Sequence, residues 1–156
     1  MANETVYLAG GCYWGFEDLL SKIPGVIETA VGFSGGHVKN VSYREVSSGT
    51  TGHAETVKVI FNSDILSFTD LLTFFFKMHN PTTLNQQGND VGTQYRSAIF
   101  ATTDEQILLA EELIKKIDSL GVLTKKITTE VNTFNTFFLA EDNHQKYLEK
   151  YPDGYT

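Results

Sequence analysis

The sequence lacks several features that would assign it to a specialised class of protein. It contains 1 cysteine in 156 residues, so no disulfide can form within the chain. It has 12 lysine and arginine residues against 19 aspartate and glutamate residues, which leaves no basic stripe for binding nucleic acid. Its most apolar run, residues 71–76, is far shorter than the roughly 20 residues of a membrane-spanning helix. Since the N-terminus also lacks the basic start and apolar stretch of a secretory signal, we expect a cytoplasmic protein that binds neither nucleic acid nor membranes.

What is present is the composition of an ordinary globular protein, with 41% hydrophobic and 20% charged residues. No internal repeat, low-complexity run or change of composition divides the chain. A chain of this length can bury a substantial core without disulfides. We therefore predict that residues 1–156 form a single domain, and we expect a monomer.

Hydrophobic periodicity predicts that strands and helices alternate along the chain. Strands are predicted at residues 6–9, 26–33, 54–62, 98–101 and 126–134. Helices are predicted between residues 16 and 23, 67 and 80, 103 and 121, and 142 and 151, and long polar loops at 37–53 and 82–95. The first six elements follow the order β-α-β-β-α-β, which is typical of a ferredoxin-like α/β sandwich. We therefore predict an α+β fold in which helices pack on a mixed sheet.

The single cysteine, Cys12, lies in the segment Gly-Gly-Cys-Tyr-Trp-Gly at residues 10–15, between the first strand and the first helix. The unpaired N–H groups and the dipole of a helix N-terminus favour an anion, so the thiolate form of Cys12 should be favoured. Gly10 and Gly11 permit close approach by another molecule. Trp14 is predicted to face away from the apolar stripe of the helix, which consists of Phe16, Leu19, Leu20 and Ile23. These features favour a reactive thiol over the alternative, a small buried hydrophobic residue.

A carboxyl group is predicted on the buried face of the third strand. Residues 54–62 alternate in polarity, with Val57, Val59 and Phe61 on one face, and the same face extended backwards reaches Glu55. A carboxyl group in that place is paired, solvated at the mouth of a cavity, or protonated because its ionisation in a low-dielectric site costs too much. The alternative is an edge carboxylate that simply reaches water.

The polar segment 82–95 and the histidines offer further candidates. A loop of this length inside a compact domain is often functional, and the alternative is a surface insertion. His53 and His79 are possible partners for a nucleophilic thiol, as in cysteine hydrolases. No spacing of cysteine and histidine resembles a metal site, so we expect no bound metal. We also expect no bound cofactor.

Several motifs resemble those of one known family. Gly-Cys-Tyr-Trp-Gly at 11–15 resembles the Gly-Cys-Phe-Trp-Gly signature of the A-type peptide methionine sulfoxide reductases. Further blocks resemble that family in the family's order, and they lie at residues 31–36, 43–46, 48–55 and 88–97. Together the resemblance covers most of residues 5–155. It implies reduction of the S epimer of methionine sulfoxide, either free or in oxidised proteins.

The resemblance also implies roles for two groups that the residues had already singled out. Cys12 resembles the nucleophile that attacks the sulfoxide sulfur and is left as a sulfenic acid. Glu55 resembles the acid that protonates the sulfoxide oxygen, which agrees with a carboxyl group kept neutral by burial.

Five further residues resemble the family's substrate site. Tyr43 and Tyr95 would donate hydrogen bonds to the sulfoxide oxygen. Tyr13 and Trp14 would wall an apolar pocket for the methyl group of the substrate. Asp90 resembles the carboxylate that orients the substrate or a water molecule in the site.

The sequence departs from the family pattern in two respects. Tyr13 stands where phenylalanine is commoner, which keeps the ring and adds a hydroxyl group. Many relatives carry resolving cysteines where this chain has Ser47 and Thr156, so its sulfenic acid has no partner thiol in the same chain. The expected reductant is therefore an external thiol, either glutathione with glutaredoxin or thioredoxin.

Two other functions remain as alternatives. A cysteine hydrolase using Cys12 with His53 or His79 would form an acyl-enzyme and consume no thiol. A module that binds methionine-containing peptides through Tyr13 and Trp14 would catalyse nothing, and its binding would survive Cys12→Ser.

Overall fold

The computed structural model describes residues 3–10, 13–34, 54–79, 81–82, 86–87, 90–91, 95–121, 126–134 and 137–139. Three helices lie within these residues: α1 (Tyr13–Ser21), α2 (Phe68–Met78) and α3 (Asp104–Leu120). The strands are β1 (Asn3–Gly10), β2 (Val26–Ser34), β3 (Ala54–Asn62), β4 (Gln86–Gln87), β5 (Asp90–Val91), β6 (Ser97–Ala101), β7 (Glu130–Thr133) and β8 (Phe137–Leu139). The predicted loop at 37–53 and the predicted helix at 142–151 lie outside the described residues.

The main sheet has six strands in the order β7-β6-β1-β3-β2-β8. All neighbouring strands are antiparallel except β6 and β7, which are parallel, so the sheet is mixed. The central four strands, β6-β1-β3-β2, have the spatial order that a split β-α-β-β-α-β unit produces, because β1 and β3 lie between the strands that follow each helix. The prediction of a ferredoxin-like α+β fold with a mixed sheet is therefore confirmed.

The larger core lies between one face of this sheet and the helices. Alternate residues of the strands point into it, as the period of a strand requires. The fully buried strand residues of this face are Val6, Leu8, Val31, Phe33, Val57, Val59, Phe61 and Ile99. The apolar side of α2 is buried against them, and it consists of Leu71, Leu72, Phe75 and Phe76.

A smaller aromatic cluster covers the opposite face of the sheet. Tyr7 stacks on Phe134, with ring centroids 4.0 Å apart and an interplanar angle of 5°. Phe137 also contacts Tyr7, at a centroid distance of 5.1 Å. Small residues lie beneath these rings, since Ala9, Ala54 and Ala98 are buried in the same cluster. Desolvation raises the pKa of the Tyr7 phenol above its usual value.

The helix ends follow the signals in the sequence. Ser67 caps α2 by accepting a hydrogen bond from the Asp70 N–H, and Thr103 caps α3 by accepting one from the Gln106 N–H. Gly121 ends α3 in the left-handed conformation, at φ 66°. Thr103 and Gln106 have the spacing of a capping box, but the Gln106 side chain accepts from the N–H of Thr102, one residue before the cap.

The buried side of α1 differs from the predicted stripe. Phe16, Leu20 and Ile23 are buried as expected, but Leu19 is 47% exposed. Glu17 is buried instead, at 2% exposure, and it accepts a hydrogen bond of 2.9 Å from the Thr29 hydroxyl of β2. A polar contact between helix and sheet therefore takes the place of an apolar one. Hydrophobic spacing alone misassigns Leu19 to the buried side and overlooks Glu17.

Two predictions in the second half of the chain were also inaccurate. The polar segment 82–95 contains a short antiparallel ladder, in which Gln87 pairs with Asp90. The strand predicted at 126–134 is confined to Glu130–Thr133, and the strand at Phe137–Leu139 was not predicted. None of the described helices is long and apolar enough to cross a membrane.

Candidate active site

The end of β1 lies at one edge of the sheet together with the ends of its neighbours. Because the central strands are antiparallel, β1 and β2 end where β3 and β6 begin. Gly10 pairs with Ser97, and Ser34 pairs with Ala54. Helix α1 begins at Tyr13, so its N-terminus follows directly from this edge. The prediction of a strand and a helix on either side of Cys12 is confirmed, while Cys12 itself lies outside the described residues.

Glu55 is fully buried at this edge, with 0% of its surface exposed. It pairs with Phe33 of β2, and it shares the helix-facing side of β3 with Val57. Leu8 pairs with Val57, and continuing that register by two residues brings Gly10 level with Glu55. The alternative in which this carboxyl group simply reaches water is therefore wrong. Burial in a low-dielectric site favours the neutral form of a carboxyl group, which is the form that can donate a proton.

Gly10 has no room for a side chain. A Cβ atom placed on it would lie 2.7 Å from Cε2 and Cζ of the Phe16 ring and 3.2 Å from Cδ2 of His79. The sequence suggested that this glycine admits another molecule. At Gly10 the close approach comes instead from the chain's own helices, because Phe16 belongs to α1 and His79 follows α2.

His79 is held by hydrogen bonds at both ring nitrogens. Its Nδ1 lies 2.7 Å from the Phe75 carbonyl oxygen, and its Nε2 lies 2.8 Å from the Ser97 hydroxyl oxygen. A carbonyl oxygen can only accept, so Nδ1 carries the proton and Nε2 accepts from Ser97. The Ser97 oxygen is in turn 2.7 Å from the Thr129 hydroxyl oxygen, and Thr129 is then the donor. Desolvation lowers the pKa of His79 to about 4.

These bonds contradict one of the predicted alternatives. A base that activates Cys12 needs a free ring nitrogen, and both nitrogens of His79 are occupied by other groups. His79 is therefore not the base of a cysteine hydrolase, and His53 lies outside the described residues. A signal for its actual place was present in the sequence, because His79 follows Phe75 by four residues and so continues the buried side of α2.

Most of the remaining predicted site residues belong to elements that the structure describes, and one does not. Tyr13 and Trp14 form the start of α1, and partly buried Tyr95 lies two residues before β6, so all three belong to elements that meet this edge. Asp90 belongs to the β4–β5 ladder rather than to the main sheet. Tyr43 lies outside the described residues. Among the residues that the structure describes, no three histidine, cysteine or acidic side chains are grouped so as to hold a metal ion.

Comparison with protein families gives a match over almost the whole chain. The family described as peptide methionine sulfoxide reductase matches residues 4–156. The chain belongs to this family. It is therefore an oxidoreductase, and the resemblance read from the five sequence motifs is confirmed.

Individual relatives agree with the family assignment. The peptide methionine sulfoxide reductase MsrA 1 of Mesorhizobium japonicum is 50% identical over 155 residues, which are 99% of this chain and 88% of the relative. Methionine sulfoxide reductase A of Corynebacterium diphtheriae has a solved structure that superposes with a TM-score of 0.90 at 40% identity, over 99% of this chain and 78% of that one. The reduced form of Mxr1 from Saccharomyces cerevisiae superposes with a TM-score of 0.89 at 36% identity, over 99% and 89% of the two chains.

Proposed function

We propose that this member of the peptide methionine sulfoxide reductase family reduces the S epimer of methionine sulfoxide, with Cys12 as the nucleophile and Glu55 as the acid. The observation that carries the proposal is the burial of Glu55 beside the strand end that leads to Cys12. A carboxyl group without solvent contact is suited to carry a proton at neutral pH, and a thiol before a helix N-terminus is suited to lose one. The two groups therefore have the opposite proton affinities that the reaction requires.

The first half of the reaction transfers one oxygen atom to the cysteine. The Cys12 thiolate attacks the sulfoxide sulfur, and Glu55 gives its proton to the sulfoxide oxygen. The attack forms a sulfur–sulfur bond between Cys12 and the substrate. This bond and the sulfur–oxygen bond of the substrate then break as the protonated oxygen moves to the sulfur of Cys12. The products are methionine, whose sulfur is reduced, and a sulfenic acid on Cys12, whose sulfur is oxidised. Glu55 then takes up a proton from solvent or from the thiol that enters next.

Aromatic side chains would hold the substrate. Tyr13 and Trp14 belong to the first turn of α1, and we assign to them the apolar pocket for the substrate methyl group. Tyr95, together with Tyr43, is assigned the hydrogen bonds to the sulfoxide oxygen. Asp90 is assigned the orientation of the substrate or a site water. Oxidised proteins and free methionine sulfoxide are the proposed substrates.

Recycling of the enzyme requires two external thiols. The first condenses with the sulfenic acid to give a mixed disulfide and water, and the second releases Cys12 and leaves as the new disulfide. The sequence has no second cysteine that could take the first part. Glutathione with glutaredoxin and thioredoxin are the proposed donors, acting on a monomer of one domain, residues 1–156, in the cytoplasm.

The decisive experiment compares resolved S- and R-sulfoxides of methionine as substrates with dithiothreitol as reductant. The wild type should reduce the S epimer alone, and Cys12→Ser should reduce neither. Glu55→Gln keeps the size of the side chain but removes the transferable proton, so kcat should fall by about 10²- to 10⁴-fold. Full activity in Glu55→Gln would contradict the acid role. Binding of the sulfoxide without turnover in the wild type would favour the binding module.

A second experiment tests the recycling route. The protein is given substrate in stoichiometric amount without thiol, and intact mass spectrometry then looks for the gain of one oxygen atom that a sulfenic acid reagent can trap. Steady-state rates with glutathione plus glutaredoxin and with thioredoxin plus its reductase identify the donor. Turnover with neither donor, despite activity with dithiothreitol, would contradict both proposed partners.

A further inference from the structure

The His79 ring is fixed by groups from three parts of the chain. The Phe75 carbonyl of α2 binds Nδ1, and the hydroxyl of Ser97, the first residue of β6, binds Nε2. Thr129, just before β7, donates to the Ser97 oxygen. Turning the ring over would exchange each nitrogen with a carbon atom and would lose both hydrogen bonds. These contacts therefore allow one orientation of the ring.

The same ring lies beside both ends of the segment that carries Cys12. Its Cδ2 edge faces Gly10, the last residue of β1, where an added Cβ atom would lie only 3.2 Å away. Its other contacts are aromatic: the Phe16 ring of α1 meets it at a centroid distance of 5.6 Å in a T-shaped arrangement, and the Phe75 ring lies at 4.4 Å. Gly10 and Phe16 are six residues apart, and Cys12 is among the five residues between them.

We infer that His79 is a positioning residue of this reductase, whose fixed ring sets the separation of Gly10 from Phe16 and thereby the placement of Cys12 relative to Glu55. The inference rests on the proposed roles of Cys12 and Glu55. Leu8 pairs with Val57, Gly10 lies two residues after Leu8 and Glu55 two residues before Val57, so a shift of Gly10 or Phe16 changes the distance over which nucleophile and acid must act together. A displacement of about 1 Å in such an arrangement can reduce the rate about 10²-fold.

The two hydrogen bonds of the His79 ring favour a positioning role over direct catalysis. A catalytic base needs a nitrogen that faces the thiol or the substrate, and His79 uses both nitrogens to hold the fold. The low pKa of His79, about 4, agrees with this arrangement, because the ring must stay neutral for Nε2 to accept from Ser97. Its effect on the reaction must therefore pass through Gly10 and Phe16.

The test uses Ser97→Ala, which removes the hydroxyl bound to Nε2 and leaves the imidazole ring present. His79→Phe removes both hydrogen bonds and keeps an aromatic ring, and Thr129→Val removes only the outer hydroxyl. The control is Ser67→Ala, which deletes the N-cap at the opposite end of the same helix and leaves the His79 contacts intact. It should lower the melting temperature without changing kcat per folded molecule.

Two readouts are measured for each variant. The first is single-turnover methionine formation without thiol, corrected for the folded fraction. We expect a 10- to 100-fold loss in Ser97→Ala and His79→Phe, a smaller loss in Thr129→Val, and half-saturating sulfoxide concentrations within twofold of the wild type. The second is the pH dependence of Cys12 alkylation by iodoacetamide, which should shift in the same two variants because the thiol moves relative to the helix N-terminus.

The outcomes distinguish this inference from the proposed function. A single-turnover rate of Ser97→Ala within twofold of the wild type, with an unchanged alkylation profile, would overturn the positioning role. So would a rate loss in Ser97→Ala no larger than that of Ser67→Ala when the two variants are equally stable. If His79→Phe does not fold, Ser97→Ala still decides the question. Absence of sulfoxide reduction by the wild type would contradict the proposed function instead, and the alkylation profile would still report whether His79 places Cys12.

Discussion

Acidification should destabilise the fold through His79. The unfolded chain binds a proton at this residue with the ordinary pKa of 6.5, whereas the folded protein binds it only at a pKa of about 4. Between these values the unfolded state carries more protons than the folded state, so stability falls as the pH falls. The stability that His79 contributes is fully present above about pH 6.5 and is lost as the pH approaches 4.

The magnitude follows from the difference between the two pKa values. At 1.36 kcal/mol per pH unit, the full effect is about 3 kcal/mol, and about 2 kcal/mol of it should appear between pH 7 and pH 4.5. The physical cause is desolvation, because a charge on this ring would lie packed against Phe16 and Phe75, and the hydrogen bond to the Phe75 carbonyl offsets part of the lowering of the pKa.

Urea unfolding of the wild type and of His79→Phe from pH 7 to pH 4.5 measures this effect. Other carboxyl groups and histidines titrate in both proteins, so the difference between the two curves isolates His79. The free energy of unfolding of the wild type should fall by about 2 kcal/mol more than that of the variant. Parallel curves would refute the reasoning, because they would mean that His79 has the same proton affinity in the folded and the unfolded chain.

Three further changes should alter stability by predictable amounts, each measured by urea unfolding at pH 7. Gly10→Ala places a methyl group 2.7 Å from the Phe16 ring and should cost about 1–3 kcal/mol. Gly121→Ala, where a Cβ atom meets nothing within 4 Å, should cost only the strain of its positive φ, about 1 kcal/mol. Thr29→Val removes a buried donor from Glu17 and should cost about 1–3 kcal/mol. An unchanged free energy of unfolding in Gly10→Ala would contradict the steric explanation for Gly10.

Strand alternation predicted the central feature of the site. Val57, Val59 and Phe61 define one face of β3, and the two-residue period reaches Glu55 without any knowledge of the neighbouring strands. The helix caps at Ser67 and Gly121 also depend on the local sequence alone, because each involves side-chain or backbone geometry within a few residues. Local periodicity and cap chemistry were therefore sufficient for the first six elements.

The missed features all depend on contacts between distant residues. The three residues of β8 form a strand because they pair with β2, about a hundred residues earlier in the chain. Glu17 is buried because Thr29 donates to it, and Leu19 is exposed although its spacing fits the stripe. The role of His79 required Ser97 and Thr129, which approach it only when α2, β6 and the segment before β7 have come together.

The positions of β7 and β8 have a consequence for the shape of the sheet. They are the two outermost strands, and across a flat sheet five strand spacings would separate them by about 24 Å. Yet Thr133 ends one and Phe137 begins the other, and four Cα steps cover at most about 15 Å. A flat sheet cannot satisfy both conditions, so the sheet must bend strongly toward the side of Tyr7.

This curvature explains the residues on the concave side. Ala9, Ala54 and Ala98 leave space where the strands converge, and the rings of Phe134 and Phe137 cross over Tyr7 between the two borders of the sheet. The two border strands of the sheet, β7 and β8, are thus consecutive in the chain. Bending turns the border strands of a sheet away from the straight arrangement in which they pair with another protein, and natural sheets use such bending against edge-to-edge aggregation.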